Sequence, residues 1–405
     1  MKYNFFKIIL LSTIVTTNSF SKEWDFLSVN GYGSLGLAYQ NNKDVLYRSS
    51  LQTPKGSAGD LSFSNYSNLG LQIDAQATKD LTFTLQGILS ENNNAEGLFE
   101  LAWANAKYQV NNNLSVKVGK MRLAAFMDSD ILDVAYSYDM VKLPSMYSNI
   151  PFQNYSGIEI QHQLNFDDIS LISTLFYGQA DSFVYNNYLK KADISLTEMK
   201  GVMLQLISNN LTLRFAFNKN NLKINEGKSS DEMNQLSALN IPIINQTLQK
   251  YKIEQIEYLA LGGKYEWGNS YFKGEYIKLN TNSFLADMRS WYLNVGYEFE
   301  NFSPYVLYSK SSSKSAFKGI SIEEEMPLAL RGVLNATNQG LQYTYNAGSI
   351  NSEVSSLGFR YNLTQNSVLK FQYDYLQEKD LVSYNTKELI DVNVHVFSSA
   401  VNFIF

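Results

Sequence analysis

The strongest constraint on this chain is an alternation of apolar and polar residues that recurs along most of its length. In residues 289–299 every second side chain is apolar, as at Leu293, while the residues between are polar, as at Asn294. Residues 69–77 and 368–375 show the same pattern. Because successive side chains of a strand point to opposite faces, each segment predicts a β-strand with one apolar and one polar face. Sustained helical periodicity is scarce, so the chain is predicted to be all-β.

The breaks between these strands are alternately short and long. The short breaks fall near 78–80, 111–113, 166–168, 208–210, 267–269, 300–301 and 363–365. The long breaks fall near 41–67, 91–97, 122–155, 180–197, 220–254, 280–287, 312–351 and 378–390. This order predicts an antiparallel sheet of about 16 strands, with short turns at one end and long loops at the other.

The composition fits a sheet that lies in lipid. Hydrophobic residues make up 45% of the chain and charged residues 18%, but the mean hydropathy is only −0.22, which excludes a protein built from membrane-spanning helices. Aromatic residues make up 14%, which excludes a disordered chain. Every backbone polar group in lipid needs a partner, so a membrane sheet has to close into a barrel. A soluble β-sandwich is the weaker alternative, because it does not explain the alternation of short and long breaks.

The first residues have the layout of a secretory signal peptide. Lys2 and Lys7 are basic, an apolar stretch follows from Ile8 to Val15, and Ser19 and Ser21 provide small residues for cleavage. We therefore predict a signal peptide over residues 1–21 and a barrel over residues 22–405.

Two segments resemble a known family. The chain ends in VNFIF, so that Phe403 and Phe405 share one face, and the segment VGKMRLAAFMDSDILDVAYSYDMVKLP joins a strand to a long third break. With the predicted strand count, the chain resembles the general Gram-negative porins. The resemblance implies a transmembrane antiparallel barrel in the outer membrane, which passes small hydrophilic solutes and ions by diffusion. It also implies a homotrimer, contact with outer-membrane lipid, an inward-folded third loop at about 122–155, and a terminal Phe403–Phe405 signal read by the barrel-assembly machinery.

The parity of the last strand is not uniform. Val392, Val394 and Val396 occupy the opposite register to the terminal aromatic residues. A β-bulge near Val396 and a misplaced strand start are both compatible with this shift.

Charged residues on the strands are expected to line the lumen, because charge is excluded from the lipid face. The basic candidates are Lys107, Lys117, Arg214, Lys273, Arg360 and Lys370. The acidic candidates are Asp74, Glu159, Glu275 and Asp374. Such a lining favours small, hydrated solutes. The alternative is that these charges only keep the polar face hydrated.

The third loop carries the sharpest candidates for a constriction. Its acidic residues are Asp128, Asp130, Asp133 and Asp139. Ile131, Val134 and Tyr138 have helical spacing, which predicts a helix that packs on the wall and directs Asp130 and Asp133 into the lumen. Arg214, Arg360 and Lys370 are the basic residues expected to face these carboxylates. The alternative is a surface helix with a hydrated acidic face.

Small residues concentrate on the predicted outward face of the first strands. They are Gly31, Gly33, Ala75, Ala77, Gly87, Ala102, Ala104 and Ala106. Packing between proteins in a membrane favours small residues, so we predict a homotrimer interface there. The alternative is a weaker lipid-facing surface.

Other functions find little support. The chain has no Cys and two His, so thiol chemistry is excluded and no cofactor or metal is expected. Its net charge of −5, without a basic cluster, argues against a nucleic-acid partner. An outer-membrane hydrolase would need a His as general base. His162 alternates in step with apolar residues and is therefore predicted to face lipid, whereas His395 is predicted to be an ordinary residue of the lumen lining. A substrate-selective channel and a surface adhesin are the remaining alternatives, and the long loops carry helix-like stretches near 232–240 and 328–336.

Overall fold

The structure, a computed structural model, describes residues 26–405 except 54–55, 64, 91–98, 186–190, 226–234, 251–254, 282–286, 315–317 and 387. The predicted signal peptide therefore lies outside the described residues. The strands are β1 (Leu27–Gln40), β2 (Leu61–Ser62), β3 (Asn68–Thr78), β4 (Leu81–Ser90), β5 (Phe99–Asn111), β6 (Leu114–Arg122), β7 (Asn154–Phe166), β8 (Ile169–Tyr185), β9 (Lys191–Ile207), β10 (Leu211–Asn225), β11 (Gln255–Trp267), β12 (Ser270–Asn280), β13 (Asp287–Tyr297), β14 (Phe302–Lys314), β15 (Ser352–Thr364), β16 (Ser367–Val382) and β17 (Leu389–Ile404). The helices are α1 (Ser145–Ser148), α2 (Pro242–Lys250) and α3 (Leu328–Gly348).

The long strands form one closed antiparallel barrel. Each pairs with its neighbours in the chain, and β17 returns to β1 with a register that runs from Tyr32 opposite Ile404 to Gln40 opposite Val396. The two-residue β2 only extends the pairing at the end of β1. Closure gives both edge strands a partner, as a sheet in lipid requires. The prediction of an antiparallel barrel of about 16 strands is confirmed.

The outer surface of the barrel is apolar and the inner surface is polar. Leu85, Leu293 and Leu357 point outward and are about half exposed, whereas Gln86 and Asn294, their neighbours in the chain, are buried inside. A soluble protein has the opposite arrangement, with apolar residues inside. Apolar residues outside and polar residues inside are typical of a barrel that is surrounded by lipid and encloses a polar lumen. None of the helices in the described part of the chain is long and apolar enough to cross a membrane.

A β-bulge overturns one predicted position in β5. The pairing with β4 shifts between Gln86 and Gly87, so that Trp103 faces Gln86 while Leu101 faces Gly87. Ala102 is the extra residue, and it is 0% exposed. The prediction that Ala102 lies on the outward interface was therefore wrong, because the bulge resets the alternation that the sequence pattern assumes.

The last strand, by contrast, contains no bulge near Val396. Its register with β16 is continuous from Phe403 back to Val392. Val392, Val394 and Val396 point inward and pack with Val45 and Tyr47 of the first long loop. His395 therefore points outward, where the Tyr373 hydroxyl lies 2.7 Å from its Nδ1. The expectation that His395 lines the lumen was wrong.

Two of the long loops fold against each other. Ile244 of α2 and Leu334 and Leu341 of α3 form an apolar cluster with Ile320. The predicted helical stretch 328–336 lies within α3. In the other stretch, 232–240, residues 232–234 lie outside the described residues and 235–238 are helical. The helix α2 was not predicted, although Pro242 at its first position is a typical helix start.

Candidate functional site

The connection between β6 and β7, residues 123–153, runs inside the barrel; we call it the constriction loop. Its Phe126 stacks on Tyr147 with ring centroids 4.4 Å apart, and both belong to an apolar cluster that includes Tyr292 of the wall. Farther along, the Tyr136 hydroxyl donates a hydrogen bond of 2.6 Å to the Gln365 carbonyl, in the short turn after β15. The loop therefore begins at the long-loop end of the barrel, where β6 ends, and extends to the short-turn end.

The loop does not form the helix that the sequence predicted over 128–139. It contains two single 3₁₀ turns, Ser129–Ile131 and Ala135–Ser137. Asp128 does not cap the first turn, because its carboxylate binds Lys273 instead. Loop carbonyls likewise bind basic side chains of the wall, as described next, and are not available as acceptors for a continuous helix.

Each of the four aspartates predicted to lie in the constriction loop has its carboxylate beside a basic side chain. Asp130 Oδ2 is 2.7 Å from Arg214 Nη2, and Asp139 Oδ1 is 3.8 Å from Arg360 Nη1. Asp128 pairs with Lys273 and Asp133 with Arg122. Arg214 and Arg360 were expected to face the loop, but Arg122 was not among the candidates. Its position as the last residue of β6, directly before the loop, is the signal that could have identified it.

Arg214 and Lys370 bind the loop backbone from opposite sides of the lumen. The Arg214 guanidinium donates to the carbonyls of Phe126 and Met127 as well as to Asp130. It is held in place by Gln205, whose Oε1 is 2.8 Å from Nη2. Lys370, on β16, is fully buried and donates to the carbonyls of Ala135, Tyr138 and Met140.

Glu275 and Gln372 complete the attachment. Glu275 accepts hydrogen bonds from the Met127 N–H at 2.8 Å, from the Tyr292 hydroxyl at 2.7 Å and from the Tyr147 hydroxyl. Gln372 Oε1 accepts from the N–H groups of Val141 and Lys142, at 2.9 and 3.1 Å. Glu275 was predicted to line the lumen as an acidic residue, and in the structure its carboxylate fastens the loop to the wall. Gln372 was not among the candidates, and nothing in its local sequence distinguishes it.

The other predicted lumen residues lie on the inner face. Lys107 is opposite Lys117, and Lys117 Nζ is 3.0 Å from Glu159. Asp74 accepts a hydrogen bond of 2.7 Å from Gln72. Asp374 is buried and accepts from Gln372 at 2.8 Å. The structure gives these positions, and their part in conduction stays a prediction.

A cavity of about 170 Å³ separates the constriction loop from the wall of β1, β3 and β4. On the wall it is lined by Ser34, Asn68 and Ser90, and on the loop by Asp133 and Lys142 among others. Lys142 Nζ lies 4.4 Å from the centre of the Tyr47 ring. Burial lowers the pKa of Lys142, because the charged ammonium is partly withdrawn from water.

The predicted interface residues are partly covered by aromatic rings. A Cβ added at Gly33 would lie 2.4 Å from the Phe403 ring, and one at Gly31 would lie 2.2 Å from the Phe405 ring. Phe99 covers Gly87 in the same way. These glycines leave room for neighbouring rings, including the two terminal phenylalanines, whose function as an assembly signal stays a prediction. Ala75, Ala104 and Ala106 lie on the outward face as expected, whereas Ala77 lies at a register irregularity between Gln76 and Thr78 and has no partner on β4. Their part in a subunit interface stays a prediction.

The described residues contain no group of three or more His, Cys, Asp or Glu side chains that could hold a metal ion. His162 lies on the outer face, opposite Leu114 and in line with the exposed Ile158 and Ile160. Both histidines are thus separated from the lumen by the barrel wall. Neither can act as a base on a solute in the lumen.

Comparisons with known proteins agree with a closed barrel that holds an internal loop. The sequence profile described as Gram-negative porin matches residues 18–381, so the chain belongs to the Gram-negative porins. It is accordingly an outer-membrane channel for passive diffusion, and it functions in the outer membrane. The comparison with curated proteins finds no match.

Solved structures show the same fold at low sequence identity. An anion-selective porin from Comamonas acidovorans is 13% identical, with a TM-score of 0.55 over 94% of this chain and 99% of its own. The outer-membrane channel DcaP of Acinetobacter baumannii is 10% identical, with a TM-score of 0.55 over 95% and 99%. OmpT of Vibrio cholerae in its trimer form is 12% identical, with a TM-score of 0.52 over 94% and 100%.

Proposed function

We propose that this porin is a homotrimeric channel for small hydrophilic solutes and ions, and that solutes pass between the constriction loop and the wall of β1, β3 and β4. The observation that carries this proposal is the cavity of about 170 Å³ at that place, whose lining combines hydroxyl, amide and charged side chains with apolar loop residues such as Leu132 and Leu143. The polar side chains replace the hydration of a polar solute. The loop itself is fastened to the remaining wall by Arg214, Glu275 and Lys370.

The trimer has two supports. Small outward residues on β3 and β5, such as Ala75 and Ala106, allow close packing between subunits in lipid. The structural neighbour from Vibrio cholerae is described in a trimer form. An enzymatic activity is not part of the proposal, because both histidines lie outside the lumen.

Single-channel recording in a planar bilayer tests the channel and the trimer together. We expect each insertion of the refolded protein to produce three stable conductance levels of equal size. Single levels from a protein of monomeric mass in mild detergent would contradict the trimer. A folded, heat-modifiable barrel that carries no current would contradict the open channel.

The charge preference of the channel is expected to depend on Asp130. Its side chain is 61% exposed, whereas those of the three other loop carboxylates are mostly buried. In Asp130→Asn, Arg214 keeps its bonds to two loop carbonyls and to Gln205, so the loop stays in place while one negative charge is lost. One charge about 8 Å from a passing ion changes its energy in water by about 0.5 kcal/mol. The energy of a passing anion changes by the same amount with the opposite sign, so we expect the cation-to-anion permeability ratio to fall about fivefold.

The measurement is the reversal potential in a KCl gradient. Asp80→Asn, in a short turn outside the barrel, is the matched control and should leave the ratio unchanged. An unchanged reversal potential in Asp130→Asn would show that Asp130 does not influence the passing ions.

A further inference from the structure

Two asparagine side chains beside the proposed passage have polar atoms without a hydrogen-bond partner. Asn65, in the first long loop, lines the cavity between the constriction loop and the wall, and it is only 4% exposed. Neither Oδ1 nor Nδ2 of Asn65 has a partner among the described residues, and the same holds for Oδ1 of Asn68 at the start of β3. Asn68 lines the same cavity. Because buried polar atoms are normally paired, these amide groups are suited to bind a ligand in the cavity.

Hydroxyl groups around this cavity use their own hydrogens inside the protein. Three lining serines donate to backbone carbonyls, at 2.6, 2.7 and 2.9 Å, and they are Ser34, Ser67 and Ser148. Ser34 and Ser67 also accept one hydrogen bond each, from the Asn402 amide and the Gly36 N–H. A hydroxyl has one hydrogen and two lone pairs, so each serine oxygen keeps at least one lone pair. These oxygens therefore favour a solute that carries several O–H donors.

Charge is compensated in the cavity. Among the described residues its lining has two charged members, Asp133 and Lys142, and both are engaged by the protein. Asp133 binds Arg122. The Lys142 ammonium lies 4.4 Å from the centre of the Tyr47 ring and 3.4 Å from the Arg48 carbonyl oxygen. A charged solute would lose hydration here without gaining an opposite charge that is free to pair, so the lining favours an uncharged ligand.

Aromatic rings and the size of the cavity limit the shape of that ligand. Tyr66 of the first long loop and Tyr138 of the constriction loop both line it. The Tyr66 hydroxyl is 2.7 Å from that of Tyr47, which fixes the position of the ring. An aromatic face provides an apolar surface on which the C–H groups of a saturated ring can pack. The volume is about 170 Å³. Since a cavity of about 150 Å³ accepts benzene, this one admits a single six-membered ring.

We propose that this cavity is a binding site for an uncharged, polyhydroxylated solute with one six-membered ring, which is the chemistry of a monosaccharide. The Asn65 amide accepts through its oxygen and donates through its nitrogen, so it can bind two neighbouring hydroxyl groups of the solute at once. Asn68 accepts from a further hydroxyl group. This inference rests on the proposed function, because it places the solute in the proposed passage. It adds that the solute binds there saturably, whereas ions pass without being held.

Ion current through the refolded protein in a planar bilayer tests the site without any variant, with glucose as the probe. Triethylene glycol dimethyl ether is the matched control solute, because it has as many non-hydrogen atoms as glucose but no hydroxyl group. After correction for the conductivity of the bulk solution, we expect glucose to reduce the current saturably. The ether should need an at least about fivefold higher concentration for the same reduction, because it cannot donate to the lining. Equal reduction by the two solutes would overturn the proposal.

Two variants locate the site. Asn65→Leu keeps a side chain of similar size but removes the amide, and it should raise the half-blocking concentration of glucose about fivefold or more. Asn294→Leu is the matched control. Asn294 is also buried and its Oδ1 also has no partner in the described part of the chain, but it lies on β13 and does not line the cavity. The same half-blocking concentration in Asn65→Leu and in the unaltered protein would overturn the proposal.

Saturation-transfer NMR of glucose with the refolded protein in detergent separates the site from the channel, because it needs no current. We expect transfer from the unaltered protein to the ring protons of glucose, and a weaker signal with Asn65→Leu than with Asn294→Leu. A protein that transfers to glucose but carries no current would contradict the channel and support the site. A protein that conducts ions but shows no transfer to glucose would overturn the site and leave the channel in place.

Discussion

Replacing Lys370 with methionine is expected to loosen the constriction loop and to lower the free energy of unfolding by about 3 kcal/mol or more. The Lys370 ammonium is fully buried and is shared by three loop carbonyls, of which that of Met140 is 3.1 Å away. Hydrogen bonds from charged donors contribute about 1.5–3 kcal/mol each. Methionine has a similar length but donates none, so the three carbonyls lose their partner and the loop keeps only its bonds to Gln372 on β16.

The unfolding free energy of Lys370→Met would be measured by urea titration of the refolded barrel. Open-channel recordings should also show larger current fluctuations, because the loop borders the proposed passage. Lys107→Met is the matched control, since Lys107 lies on the same inner face and forms no ion pair with the described residues. If both variants unfold at the same urea concentration, Lys370 does not fasten the loop.

The barrel could be predicted from sequence because lipid imposes a simple rule on every strand. Outward residues have to be apolar and inward residues face water, so β13 alternates from Trp291 to Tyr297 without interruption. The alternation of short turns and long loops then gives the strand order, because a short turn can join only neighbouring antiparallel strands. The resemblance to porins added the direction in which the third loop folds.

The rule fails where protein replaces water inside the barrel. Val392, Val394 and Val396 point inward because Val45 and Tyr47 cover them, so the inner face is apolar at this place. The sequence shows only that the parity changes, and a bulge would produce the same change. In β5 the opposite occurs: the bulge at Ala102 is hidden because Ala102, Ala104 and Ala106 recur at every second position, as they would in an uninterrupted strand.

The attachment of the loop could be predicted only in outline. Opposite charges on the loop and on the strands indicate that they meet, and Arg214 does bind Asp130. The choice of Arg122 as the partner of Asp133 depends on how far the loop descends after β6. Gln372 and Glu275 accept hydrogen bonds from backbone N–H groups of the loop. Every residue except proline has such a group, so the sequence contains no complementary charge that would indicate these contacts.

Gly119→Ala is expected to destabilise the barrel by at least about 3 kcal/mol, because both the backbone and the space at this position require glycine. Gly119 has a φ of 129°, which side-chain-bearing residues rarely adopt. An added Cβ would also lie 2.3 Å from the Ala104 carbonyl oxygen and 2.8 Å from Asn105 Cα. Both obstacles are backbone atoms of β5, so they cannot move without breaking the pairing of β5 with β6.

The same substitution in α3 should have the opposite effect, which separates the local cause from a general effect of alanine. A Cβ at Gly332 meets nothing within 4 Å, and alanine is favoured over glycine inside a helix by up to about 1 kcal/mol. Urea titration of the two variants should therefore move the unfolding midpoint in opposite directions. A Gly119→Ala protein that folds with an unfolding free energy within about 1 kcal/mol of the unaltered chain would show that β5 and β6 can separate at little cost. In that case the strand that leads into the constriction loop would be adaptable, and the loop would owe its position to its side-chain bonds with the wall, such as those of Arg214, Glu275 and Lys370.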